Sequence, residues 1–210
     1  MKEVFWEKSY QNKTASTFGK PSKEVVELTE KLSKGSSVLD MACGEGRHGL
    51  FLAQNGFQVD AFDISENGID KLKRIANEND IKLNVWVESI EVFKFRKEYD
   101  LIISHGLFQF IKKDLQEKVI DDMKKHTKPG GYNIIAVFTN KLDIPEDLAP
   151  YMIGVFQEGE VLEYYKDWII EDFQSYIFKD KHENDISHTH AINKLIAKKI
   201  IGEEEHGYED

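Results

Sequence analysis

The chain is poor in thiols. Cys43 is the only cysteine among 210 residues, so no internal disulfide, Cys-x-x-Cys redox pair or multi-thiolate metal site can be built from it. Four prolines are scattered along the chain, and no linker, low-complexity stretch or internal repeat is visible. Long apolar runs are absent too: the longest covers five residues, 134–138, against the roughly 20 that a membrane helix needs. Basic residues are outnumbered, 28 Lys and Arg against 38 Asp and Glu. The resulting net charge of −10 works against attraction to a nucleic-acid backbone or an anionic membrane. The run Met1-Lys-Glu-Val-Phe-Trp-Glu-Lys-Ser-Tyr10 has neither the apolar stretch of a signal peptide nor the Arg-rich face of a transit peptide. The expectation is a cytoplasmic protein with no nucleic-acid or membrane partner; nothing in the sequence sets an oligomeric state.

What is present is ordinary for a globular chain, with 40% hydrophobic residues and 14 glycines. The length suits one α/β domain over residues 1–210, ending in a solvated acidic tail at 202–210. Ser22 is placed to cap a helix whose Val25, Val26, Leu28 and Leu32 lie near one face; residues 37–42 then read as a buried strand running into a glycine-rich loop. A helix over 47–55 is closed by Gly56, and a second strand covers 57–62. Ser65 caps a helix on which Ile69, Leu72, Ile75 and Ala76 recur at three and four. Residues 83–87 and 99–104 form strands three and four. Asp114-Leu-Gln-Glu117 reads as a capping box before a helix that buries Leu115, Val119 and Met123 and that Lys128-Pro-Gly-Gly131 stops. Strand five is 132–138. Residues 141–159, with Pro145 and Pro150, are too long for a simple connection and read as a partly helical lid. A short helix over 160–166 precedes strands at 168–178 and 190–200 around the polar turn 179–185, an antiparallel hairpin. The fold expected is α/β, a doubly wound, Rossmann-like and mostly parallel seven-stranded sheet with a C-terminal antiparallel hairpin.

The segment Val38-Leu-Asp-Met-Ala-Cys-Gly-Glu-Gly-Arg47 ends strand one, and Asp63 follows 19 residues beyond Gly44 at the end of strand two. In a doubly wound sheet this is where a ribose-bearing ligand sits, glycines allowing close backbone approach and the acid taking the ribose hydroxyls. Gly44 to Gly49 also spells the dinucleotide string G-x-G-x-x-G, and a plain strand-to-helix turn would use the same letters. Charge separates the readings: Asp40 and Glu45 put negative charge where a pyrophosphate would lie. S-adenosylmethionine has a ribose but no phosphate, and it is cationic at its sulfonium and amino group.

On these residues, together with Val59-Asp-Ala-Phe-Asp-Ile-Ser65, Lys128-Pro-Gly-Gly131 and the terminal hairpin, the sequence resembles the class I S-adenosylmethionine-dependent methyltransferases over about residues 36–200. Within that superfamily it is similar to the tellurite-resistance methyltransferase (TehB-like) group. The resemblance implies that Asp40, Gly44 and Gly46 meet the methionine portion, with Ala42, Cys43 and Arg47 in the same loop, and that Asp63 and Ile64 meet the ribose. Glu88 stands where an Asp often faces the adenine amino group, and Ser89 offers its amide. Ser104-His-Gly106 would line the methyl-donor side, and Tyr10, in the N-terminal segment 1–34, would cover the cofactor. It also implies a small-molecule methyl acceptor, a chalcogen oxyanion such as tellurite or selenite, or a thiol or selenol. Alternatives from other classes are a dinucleotide-dependent oxidoreductase and a non-catalytic S-adenosylmethionine-binding module.

At the end of strand four, amino-methylating relatives carry Asn/Asp-Pro-Pro-Tyr/Phe; this chain has Ser104-His-Gly-Leu-Phe108, which argues against amine acceptors. His105 either faces the acceptor, as a steering group or proton acceptor, or hydrogen-bonds at a strand end. His190 is the second catalytic candidate. His188 lies two residues away and shares its side in a strand, but no third ligand is close in sequence, which favours an ordinary hairpin or substrate contact over a metal pair. For His48, packing and binding are both open. Tyr151, Phe156, Tyr164, Tyr165 and Trp168 are read mostly as lid packing, and Cys43 as a small buried residue.

Overall fold

A computed structural model describes residues 5–11, 19–181 and 187–202. Its strands are β1 (Ser37–Met41), β2 (Gln58–Asp63), β3 (Asn84–Val87), β4 (Tyr99–His105), β5 (Thr127–Phe138), β6 (Ile169–Lys181) and β7 (Ser187–Lys198). The helices are α1 (Phe5–Tyr10), α2 (Lys23–Leu28), α3 (Arg47–Gln54), α4 (Glu66–Glu78), α5 (Lys113–Lys125) and α6 (Glu160–Tyr164), with a 3-10 turn at Phe108–Phe110. The strands form one sheet in the order β3-β2-β1-β4-β5-β7-β6. β1 to β5 are parallel, and β7 runs antiparallel to both β5 and β6.

Every residue of β1 is buried, as expected of a strand covered on both faces. Leu39 and Met41 face one apolar layer with Ile102, Ile135 and the α5 residues Val119, Ile120 and Met123. Val38 faces the other, with Val59, Leu101, Ile103, Leu52 of α3 and Val25 and Leu28 of α2. The strand order turns outward in opposite directions from β1 and β4, so the crevice beyond their carboxyl ends is the switch point at which α/β sheets bind ligands.

The structure differs from the sequence expectations at several ends. The helix expected after Ser22, α2, stops at Leu28, its C-cap Thr29 bonding back to Val26 at 2.6 Å; Val26 is exposed and Leu32 packs from beyond the helix. Ser22 is the N-cap by backbone angles but its hydroxyl makes no cap bond. The capping box does not form: Lys112 is the N-cap of α5, and Asp114 sits inside the first turn, where an acid suits the helix dipole. Lys128-Pro-Gly-Gly131 does not stop that helix either. α5 has ended at Lys125, and β5 already runs through these residues. Lys199 Nζ donates to the carbonyls of Lys124 and Thr127 at 2.8 and 2.6 Å, supplying the helix end with its donors. The hairpin strands pair further than expected, to Lys181 opposite Ser187; residues 182–186 of its turn and 203–210 of the tail lie outside the described residues.

Residues 141–159 contain turns and a single parallel bridge, Thr139 to Phe156, where a partly helical lid was expected. The buried Gln116 of α5 explains how the segment is held. Its side-chain amide donates to Phe108, Ile111 and Gly154 carbonyls at 2.7, 3.3 and 2.5 Å. Among the described residues no helix is long and apolar enough to cross a membrane.

Candidate active site

The loop after β1 turns with positive φ at Ala42, Gly44 and Gly46 (53°, 54° and 80°). Asp63, at the end of β2, holds it from below. One carboxylate oxygen accepts the Gly44 amide at 2.7 Å and the other the Ser65 amide at 2.8 Å, and burial raises its pKa. Ser65 in turn caps α4 by accepting the Gly68 amide at 2.9 Å. Asp40 accepts the Gly49 amide at 3.0 Å inside the first turn of α3, and burial pushes its pKa up to about 7. A helix start already occupied by a carboxylate is a poor pyrophosphate cradle. Glu45 contributes nothing to that argument, contrary to the sequence reading: its carboxylate is paired at 2.6 Å with the buried Lys71 of α4. At Gly46 an added Cβ would collide with Leu72, so this glycine serves close helix packing and lies outside the cavity lining.

Beyond the loop opens a cavity of about 630 Å³. Asp40, Ala42, Cys43, Gly44, Arg47 and Asp63 form its loop side. Ile64, Glu88 and Ser89 form a second side. Glu88 is already engaged, accepting the Trp86 indole N–H at 2.5 Å. Tyr10 is buried against Gly44, its hydroxyl where a Gly44 side chain would go, and its pKa is raised by burial and by the charge of Asp63. The helix α1 that carries Tyr10 also brings Trp6 to 5.0 Å from Phe110 and 6.3 Å from Tyr151. Cys43 is only partly buried, where a buried residue was expected: it lines the cavity with Sγ 3.8 Å from the Gly44 carbonyl, and burial raises its thiol pKa. Ser104 is fully buried between β1 and β5 and does not line the cavity, so the methyl-donor role assigned to it is not supported by its position. Phe156 and Tyr165 are fully buried, Tyr165 accepting a bond from Asn133 at 2.9 Å; both are packing residues.

His105 reaches the cavity with Nδ1 turned to Arg47 and Nε2 to Glu24. A guanidinium can only donate, so the 3.4 Å contact from Arg47 makes Nδ1 the acceptor, and Nε2 lies 3.2 Å from Glu24 Oε1, a charge contact without hydrogen-bond geometry. Burial lowers its pKa. The Arg47 contact occupies the lone pair that the expected base role would use. Glu24 itself is drawn well below the usual carboxylate range: burial opposes the shift, and His105 and Lys194, the latter at 2.9 Å, outweigh it. His190 lines the same cavity, stacked on Phe138 at 4.5 Å and tilted against Phe178 at 5.6 Å, as part of an aromatic wall. His188 bonds to Asp147 at 3.0 Å, tying β7 to the 141–159 segment. Sequence reasoning missed Glu24, Lys194, Gln109 and Trp6. Neither residue belongs to a local motif, and only the folding of α2 and β7 onto the end of β4 brings Glu24 and Lys194 together.

A reversed β7 inserted between β5 and β6, above a loop closed to phosphates, is the architecture of the class I α/β methyltransferases. Residues 2–194 match the family of the tellurite resistance protein TehB. The chain belongs to that family. The probable S-adenosyl-L-methionine-dependent methyltransferase TehB of Haemophilus influenzae (strain ATCC 51907 / DSM 11121 / KW20 / Rd) is 33% identical over 167 residues, 80% of this chain and 55% of that protein. The crystal structure of TehB from Haemophilus influenzae superposes with a TM-score of 0.77 at 27% identity, covering 85% of this chain and 62% of that one. A ubiquinone biosynthesis O-methyltransferase from Rickettsia canadensis (strain McKiel) is 29% identical over 66% of this chain and 54% of its own length. The chain spans about half the length of the curated relatives it matches.

Proposed function

We propose that this chain binds S-adenosylmethionine and transfers its methyl group to a small nucleophilic acceptor, a chalcogen oxyanion or a thiol or selenol. The observation that carries the reading is the buried Asp63 carboxylate under the glycine loop, at the floor of a cavity whose near walls are acidic and apolar. That donor set fits a cationic, phosphate-free nucleoside: Asp63 would take the ribose hydroxyls, the Gly44 backbone and Asp40 the methionine portion, and Ile64, Glu88 and Ser89 the adenine. When bound, S-adenosylmethionine supplies a methyl carbon made electrophilic by its sulfonium. Ala42, Cys43 and Arg47 shape the loop wall, and Tyr10, over Gly44, excludes water from the covered side. His105 positions Arg47 and Glu24, and His190 belongs to the aromatic wall. A small-molecule acceptor, no nucleic-acid or membrane partner and a cytoplasmic location go with this reading, in keeping with the net charge of −10.

Calorimetric titration with S-adenosylhomocysteine and, separately, with a nicotinamide dinucleotide tests the cofactor. Binding of the first alone is expected, and binding of the second alone would sink the proposal. A screen over tellurite, selenite, thiols, thiopurines and small amines, read by S-adenosylhomocysteine release, then tests transfer. Cofactor binding with no turnover on any acceptor would point instead to a sensor module.

A further inference from the structure

The sheet order lays the cofactor site out along the carboxyl ends of the strands: Glu88 and Ser89 follow β3, Asp63 and Ile64 lie at β2, and Asp40 and Gly44 at β1. The rest of the cavity lies over β4, β5 and β7. There one row of side chains crosses the sheet. His105 of β4 pairs with Ala136 of β5, Ala136 pairs with Lys194 of β7, and all three line the cavity. The methyl of Ala136 fills little of the space between its two neighbours, whose backbones stand two strand spacings, about 9–10 Å, apart. An acceptor next to the methionine end of the cofactor would lie in that gap, which Lys194 closes on the far side.

The ammonium of Lys194 is charged and held in place. Its Nζ lies 2.9 Å from Glu24 Oε1 and 5.5 Å from the centre of the Tyr176 ring; burial lowers its pKa, and Tyr176 and Glu24 outweigh burial, so that the pKa is raised. Glu24 is 7% exposed and lies outside the cavity lining, so the ion pair stands with its positive end inward and its negative end behind the wall. An anion in the gap meets the ammonium first. Phe138 and Phe178 line the cavity from β5 and β6, and apolar surroundings strengthen such an attraction. His48 is kept neutral by burial, then by the charges of His105 and Arg47, with Glu24 opposing and Lys194 adding to the effect. The proton of a neutral imidazole can sit on either nitrogen, so the buried Nε2 of His48, without a partner among the described residues, is able to donate to an anion.

We propose that Lys194 is the specificity-determining residue of the acceptor site: its ammonium receives an anionic oxygen of the acceptor over Ala136, and Glu24, from behind, is the positioning residue that aims it. The inference rests on the methyltransferase reading and names, within it, the group that recognises an oxyanion.

The test is calorimetric titration of protein saturated with S-adenosylhomocysteine, using sodium sulfite, a pyramidal chalcogen oxyanion, and dimethyl sulfoxide, its uncharged counterpart. The wild type is expected to bind sulfite at least about tenfold tighter than dimethyl sulfoxide. Lys194→Met keeps the length of the side chain and removes its charge. Sulfite affinity should fall about 10-fold or more, as hydrogen bonds to a charged group predict, with S-adenosylhomocysteine affinity retained. Glu24→Gln separates recognition from support: it removes the countercharge behind the ammonium, so sulfite should bind at least as tightly as to the wild type. Lys194→Met leaves Glu24 buried without that cation, and if it does not fold, the double variant Glu24→Gln, Lys194→Met takes its place with the same loss expected. Unchanged sulfite affinity in either Lys194 variant overturns the proposal, and so does equal binding of sulfite and dimethyl sulfoxide to the wild type. A loss of similar size in Glu24→Gln and Lys194→Met also overturns it, since the pair would then be a structural brace. Binding of S-adenosylhomocysteine without sulfite overturns it while leaving methyl transfer to a neutral acceptor standing. Failure of the wild type to bind S-adenosylhomocysteine would remove the methyltransferase reading itself.

Discussion

Asp63 shows how one side chain can hold two elements at once. Its two oxygens tie the Gly44 and Ser65 amides, so the loop that would receive a cofactor and the cap of α4 share a single carboxylate. Hydrogen bonds to a charged group contribute roughly 1.5–3 kcal/mol, and Asp63→Ala is expected to weaken S-adenosylhomocysteine binding about 10- to 150-fold. A folded variant with wild-type affinity by calorimetry would take Asp63 out of the site. Gly46 has a different job, although it belongs to the same G-x-G string. Its φ of 80° disfavours a side chain, and Leu72 occupies the space one would need. Gly46→Ala is therefore expected to lower stability by about 1–3 kcal/mol in urea melts. An unchanged melt would mean that α4 yields without cost.

At the scale of elements, Gln116 does for the 141–159 segment what a capping box was expected to do for α5. The amide joins the 3-10 turn, Ile111 and Gly154 through three carbonyls. Gln116→Leu fills the same space without a donor, and the stranded carbonyls should cost at least about 2 kcal/mol. Proteolysis should then cut first within residues 141–154, and a cleavage pattern like that of the wild type would count against this anchoring. The same element explains why the sequence was legible in some places and opaque in others. Periodicity identified β1 to β5, α3 and α4, because each buries a regular apolar face and starts or stops at a local signal such as Ser65 or Gly56. Likewise Asp63 and Gly44 were legible because their chemistry lies in a short motif. Gln116 was not: a buried glutamine on a polar helix looks like surface until the segment it ties, 38 residues downstream of it, is in place. The network of Glu24, His105 and Lys194 was hidden for the same reason, since its members come from α2, β4 and β7 and no local pattern links them.

For the molecule as a whole, buried titratable groups at one end of the sheet set opposing pH slopes. Asp40 has a folded pKa of about 7, above the ordinary carboxylate value of 3.8, so the folded state holds its proton longer and stability falls as pH rises from about 4 to about 7. His48 and His105 are depressed by burial, so the folded state binds fewer protons; their contribution is present above about pH 6.5 and is lost as pH falls below it. On the acid side the two histidines oppose Asp40 and Asp63, whose pKa burial also raises, and above about pH 6.5 the histidines no longer contribute, so stability is expected to fall from there toward pH 8 as Asp40 ionises. Asp40→Asn keeps an acceptor for the Gly49 amide but cannot ionise. It should flatten the alkaline side, gaining at pH 8 at least about 1 kcal/mol, or about 2–4 °C in Tm, relative to its effect at pH 5. Binding should move the opposite way. If Asp40 meets the cationic end of the cofactor, S-adenosylhomocysteine affinity in the wild type rises from pH 6 to pH 8 as the carboxylate ionises, and in Asp40→Asn that rise disappears. Urea melts at several pH values, paired with calorimetry on both proteins, read the two effects separately. A wild-type affinity that does not change across that range would detach Asp40 from the ligand and leave it as the cap of α3 alone.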